Sequence, residues 1–130
     1  MARPPFLIGI DLGTTNTAVA YIDRRHAGER IRPFAIPQLV GPHEVRSQPV
    51  LPSFLYFGDS HEVDAGALAL PWDRRPVAVA GMLARDRGAL VPARQVSSAK
   101  SWLAHAAVDR RGRLLPWSAD PAERRLSPVE

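Results

Sequence analysis

No cysteine occurs anywhere in this chain of 130 residues. Disulfides and zinc–thiolate sites are thereby excluded, and the composition fits a reducing compartment. Long apolar runs are missing as well. The opening stretch, MARPPFLIGIDLG, carries one arginine and then only Phe6, Leu7 and Ile8 before Gly9. It holds no signal-peptide core, and no run approaches the ~20 apolar residues that a membrane-spanning helix needs. The expectation is a cytoplasmic protein with no membrane partner. Lysine is nearly absent too: Lys100 stands alone against 16 arginines. The net charge of +4 permits nucleic-acid binding. The arginines, however, are scattered as pairs (24–25, 74–75, 110–111, 124–125), with acids between them and no array of aromatic and basic residues. They read as a solvated surface, with no nucleic-acid partner expected.

The length suits one small domain with a modest core. With 13 prolines and 9 glycines, long uninterrupted elements are scarce. Residues 6–12 and 17–23 read as two strands joined by a short turn. A polar loop follows at 23–28. Residues 31–40 read as a strand interrupted by Pro33 and Pro37, at an edge or bulged, and 41–49 as loop. Residues 50–57 (VLPSFLYF) read as a strand despite Pro52, with a turn at 58–60 and 61–64 pairing back. Helical spacing predicts a helix over 76–86 and a shorter one over 97–105, the latter capped by Ser97 or Ser98. Residues 106–126 are polar and rich in arginine. Ser127, Pro128 and Glu130 make a capping box with proline at the first helical position, so a helix is expected to begin there. On that ground the chain is expected to be truncated at Glu130, the N-terminal piece of a longer protein. The four histidines, His26, His43, His61 and His105, have no metal spacing and read as surface. Trp72, Trp102 and Trp117 read as packing residues.

The stretch with most chemistry is GIDLGTTNT, residues 9–17, between the first two strands. Phosphate binding needs donors that approach without a side chain in the way. Glycine permits that approach, and successive backbone N–H groups in a turn form a nest for anions. Threonine hydroxyls add donors. A carboxylate beside them can hold Mg²⁺, usually through water, and the metal neutralises the phosphates. Asp11, Gly13, Thr14, Thr15 and Asn16 supply these parts. Neither a P-loop nor a dinucleotide fingerprint is present. The plainer alternative is a polar hairpin turn in which Asp11 and Thr14 satisfy local backbone groups.

GIDLGTTNT resembles the first phosphate motif of the actin-like ATPase superfamily, which includes the 70-kDa heat-shock (DnaK-type) chaperones, sugar kinases and bacterial actins. Three later segments resemble the chaperone branch. Leu51-Pro52-Ser53 is similar to its Thr-Pro-Ser strand, with leucine for threonine. Ala99-Lys100-Ser101-Trp102-Leu103 is similar to its Ala-Lys-Arg-Leu-Ile helix, departing at Ser101 and Trp102. Leu126 to Glu130 is similar to the segment that opens its next helix. The resemblance implies an α/β fold: a partial actin-like ATPase (ribonuclease H-like) domain over residues 1–130, with a mixed sheet opening on a β-hairpin and few short helices.

The resemblance also implies roles. Asp11 lies near Mg²⁺ and its waters. Gly13, Thr14 and Thr15 contact the phosphates of ATP, and Asn16 belongs to the same loop. Lys100 reaches the γ-phosphate and the attacking water, where a compact ammonium suits the charge on a transferring phosphoryl group. The implied function is that of an ATP-hydrolysing chaperone, with ATP or ADP, client polypeptides and co-chaperones as partners. The family's second phosphate hairpin, adenosine-binding segment and further catalytic acid have no counterpart in these residues, so weak ATP binding or none is expected of the isolated chain. A filament-forming bacterial actin, a sugar kinase, a non-catalytic regulatory module and a basic nucleic-acid binder are the alternatives.

Overall fold

The computed structural model describes residues 3–26, 28 and 30–130; Ala27 of the loop expected at 23–28 lies outside them. The expected hairpin is present. β1 (Phe6–Leu12) and β2 (Asn16–Asp23) pair antiparallel in continuous register, from Phe6 opposite Asp23 to Leu12 opposite Thr17. Ile8, Ile10, Val19 and Tyr21 are residue types that fit a pleated surface.

The expected strand over 31–40 is two strands in two sheets. β3 (Arg32–Pro33) pairs with β2 at Ala20 and Tyr21. β4 (Ile36–Gly41) leaves that sheet and pairs with β5 (Glu44–Gln48). Pro33 lacks a backbone donor, and after a last bond from the Phe34 N–H to the Val19 carbonyl at 2.8 Å the chain leaves the first ladder. The expected loop at 41–49 is thus a second hairpin, turning at Pro42 and His43. The strand over 50–57 is also divided. β6 (Leu51–Pro52) pairs with β2 at Thr17 and Asn16, whereas β7 (Phe54–Phe57) centres a third sheet. Ser53 is the crossing point between the two.

Residues 61–64 do not pair back. They belong to α1 (Ser60–Asp64), capped by Asp59. The helix expected over 76–86 begins later, because β8 (Ala78–Ala80) pairs with β7 and buries Val79. Gly81, at φ 101°, turns the chain into α2 (Met82–Leu90). A Cβ on Gly81 would collide with the Gln38 amide oxygen and lie 2.7 Å from Leu51 Cδ1. A 3-10 turn (Pro92–Arg94) leads to β9 (Gln95–Ser97) on the other side of β7. α3 (Ala99–Leu103) follows and is shorter than expected. Ser98 precedes it in the left-handed region, at φ 53°, and its side chain makes no cap hydrogen bond. Ser97 belongs to β9, so neither serine caps as expected. Over 127–130 no helix forms, although the Ser127 N–H donates to the Glu130 carboxylate at 2.7 Å.

The chain is therefore mixed α/β, with three antiparallel sheets and three short α-helices among the described residues. The expected mixed sheet is corrected in one respect: every strand pair there is antiparallel. Parallel pairing needs crossover connections of a dozen or more residues, and most links here are shorter. The main core gathers Leu39, Tyr56, Leu68, Val79, Leu83 and Ala84; a smaller one joins Phe57, Val96 and Leu115. Both lie around β7, and the main core also takes in α2. β1 is exposed along its whole length. No helix among the described residues is long and apolar enough to cross a membrane. Trp102 packs against the smaller core and stacks on Trp117 with ring centroids 5.2 Å apart. Trp72 is exposed rather than packed.

Candidate functional site

The turn at 13–16 is tight because of Gly13. A Cβ there would collide with the Asn16 carbonyl oxygen, so no other residue closes this turn without a shift. Thr14 and Thr15 are exposed at its tip, and Asn16 opens β2 opposite Pro52. Asp11 stands in β1 opposite Ala18, exposed.

Lys100 is 88 positions from Leu12, yet its Nζ donates to the Leu12 carbonyl at 2.6 Å. The Ala-Lys helix thereby meets the turn at 13–16. Two further contacts come from a residue to which the sequence reading assigned no role. Ser53 Oγ donates to the Gly13 carbonyl at 2.8 Å, and the Ser53 N–H donates to the Thr15 carbonyl at 2.8 Å. Three carbonyls around the turn are thus engaged by protein donors.

This arrangement has an electrostatic consequence. In a planar trans peptide, C=O and N–H point in opposite directions. Drawing the Gly13 carbonyl to Ser53 aims the Thr14 N–H the other way. The N–H groups of Thr14 and Thr15 have no backbone acceptor among the described residues. A turn with its carbonyls engaged and its donors free attracts anions.

The structure brings together Lys100, Leu12, Gly13, Thr15 and Ser53. It makes no bond between Asp11 and Lys100. Among the described residues no group of three or more His, Asp or Glu side chains is arranged to hold a metal ion. Asp11 alone suits a Mg²⁺ held mainly by phosphate oxygens and water. Ser53 was legible only as part of Leu51-Pro52-Ser53; a serine at a strand break, whose hydroxyl is free to bond a neighbouring backbone, was the available signal.

A second polar cluster lies elsewhere. Glu62 accepts from the Tyr56 hydroxyl at 2.9 Å and from Arg87 at 3.0 Å, and Asp59 accepts from Arg94 at 3.0 Å. Burial, and then the Glu62 carboxylate, push the Tyr56 hydroxyl above its ordinary pKa. A groove of about 450 Å³ opens beside it, lined by Phe57, Asp59, Val77, Arg94 and Arg124. The Arg94–Asp59 pair is self-neutralising, and no residue of the turn lines this groove. Comparison with family models, curated proteins and solved structures found no match for the chain.

Proposed function

We propose that the turn at 13–16 and Lys100 form one wall of an ATP-phosphate clasp in an actin-like ATPase of the 70-kDa heat-shock chaperone type. The observation that carries this reading is the 2.6 Å bond from Lys100 Nζ to the Leu12 carbonyl. It fixes the chain's lone lysine beside the turn at 13–16, and two further donors remain on its ammonium. The branch within the superfamily rests on the sequence resemblance.

In this reading the backbone N–H groups and hydroxyls of Thr14 and Thr15 bind the terminal phosphates, and Gly13 and Asn16 shape the loop that presents them. Lys100 neutralises charge on the γ-phosphoryl group. Asp11 holds the waters of a Mg²⁺ ion, which supplies further neutralisation of the triphosphate. Hydrolysis in such a site is in-line attack of water on the γ-phosphorus, with ADP as leaving group. The hydrolysed state would then be passed to a peptide-binding region that handles client polypeptides. The apolar faces of β1, exposed on both sides, support placing this chain within a larger layered domain.

The test is an amide NMR titration of the chain with Mg·ATP, Mg·tripolyphosphate and Mg·AMP. Shifts at Thr14, Thr15 and Asn16 are expected with the first two and not with the third, at a Kd on the order of 1 mM. Lys100→Ala is expected to weaken ATP binding about tenfold. Equal responses to ATP and AMP at the turn would remove the phosphate reading.

A further inference from the structure

We propose that Ser53 is the positioning residue of the phosphate-binding turn: it orients the turn's amides without touching the ligand. The proposal rests on the phosphate reading of residues 13–16. Ser53 occupies the single residue between β6, which pairs with β2, and β7, which belongs to the third sheet. At that break neither ladder claims its backbone. Its N–H is free to bond the Thr15 carbonyl, and its hydroxyl the Gly13 carbonyl, both at 2.8 Å.

Those two carbonyls bracket Thr14. A carbonyl oxygen aimed at a phosphate would repel it, and peptide planarity makes each carbonyl direction set that of the next N–H. Two bonds from one residue therefore fix two peptide planes of the turn, those that carry the Thr14 and Asn16 N–H groups. Leu51 and Pro52 pair with Thr17 and Asn16, so the donor and the turn it holds share one rigid ladder. Ser53 is half-buried, which shields its bonds from competing water. Because β7 centres the sheet nearest the main core, the turn is referenced through Ser53 to the best-packed part of the chain. Preorganising donors in this way removes the cost of turning peptide planes when an anion arrives.

The experiment compares the wild-type chain with Ser53→Ala and Ser53→Thr. Alanine keeps the N–H bond to Thr15 and removes the hydroxyl; threonine restores the hydroxyl. Two quantities are read: ¹⁵N order parameters at Thr14 and Thr15 in the free protein, and the Kd for Mg·ATP. Ser53→Ala is expected to lower the order parameter at Thr14, whose N–H shares a peptide plane with the Gly13 carbonyl, to leave those in β7 and α2 unchanged, and to weaken ATP binding about fivefold. Ser53→Thr is expected to recover both. If Ser53→Ala binds ATP as the wild type does, the positioning role is wrong and the phosphate reading stands. If affinity falls only in step with a general loss of order in β7 and α2, the role is structural and the proposal is overturned. If the wild type responds equally to Mg·ATP and Mg·AMP while Ser53→Ala still loosens the turn, the phosphate reading fails and Ser53 remains the residue that orients the turn.

Discussion

Gln38 shows how one buried side chain can replace several backbone bonds. It is 2% exposed, on β4. Its Nε2 donates to the Val50 carbonyl at 2.9 Å, and its Oε1 accepts the Met82 N–H at 2.9 Å. The second bond satisfies a donor in the first turn of α2, whose preceding residue, Gly81, has no side chain to do so. Gln38→Leu would keep the volume roughly constant and leave the Met82 N–H and the Val50 carbonyl without their side-chain partner. A loss of about 1–3 kcal/mol in urea-induced unfolding is expected. A change within experimental error would mean that water reaches this site. The same logic applies to the lone lysine: residue identity matters most where a side chain completes backbone that its own element leaves open.

Short elements need such external support. α1 has five residues, too few to be stable alone. It is held by its capping box, in which the Glu62 N–H donates to Asp59 at 2.7 Å and the Asp59 N–H to Glu62 at 3.1 Å. The Glu62 N–H first, and then Arg94, hold the Asp59 carboxyl below its ordinary pKa. A carboxyl lowered on folding adds stability above its unfolded pKa, and that contribution is lost as pH falls through the folded value. Unfolding midpoints should therefore fall as the pH drops below the ordinary aspartate value of about 4, and Asp59→Asn should flatten part of that slope. An unchanged slope would assign the acid sensitivity to other carboxyls. Asp59-x-x-Glu62 is a capping signature visible in the sequence, but the apolar Val63 beside it read as strand. Val77 to Ala80 read as helix because valine and alanine spacing does not reveal a partner strand. β7 decides that segment, and β7 is some twenty residues away. The β1–β2 hairpin was legible because its partners are adjacent in sequence. The turn residues were legible through their chemistry, whereas Ser53's contact with them depends on a fold-level crossing that no local pattern encodes.

At the scale of the whole molecule, the packed part and the site part are different places. The two cores share β7, the larger of them packed with α2, while the hairpin that carries the turn stands outside them. One face of β1 presents Ile8 at 62% and Ile10 at 61% exposure, and the other presents Leu7 at 51%. Tyr21 lies opposite Ile8 and Val19 opposite Ile10, so the first face continues onto β2. Ile22 opposite Leu7 extends the second. Strands apolar on both faces suit a sheet covered by layers on each side. Left bare, such a surface associates with other apolar matter, and an edge strand adds unpaired backbone groups to the attraction. The isolated chain is therefore expected to bind an apolar fluorescent dye and to self-associate as concentration rises. Replacing both Ile8 and Ile10 with threonine keeps the β-branched shape while adding polarity. The double variant should lose most of the dye signal and sediment as a smaller species, at a cost of no more than about 1 kcal/mol in stability, because neither residue packs against a core. A large loss of stability would mean instead that the face is buried in the chain's own folded state, and that the hairpin and the β7 core form one unit rather than two.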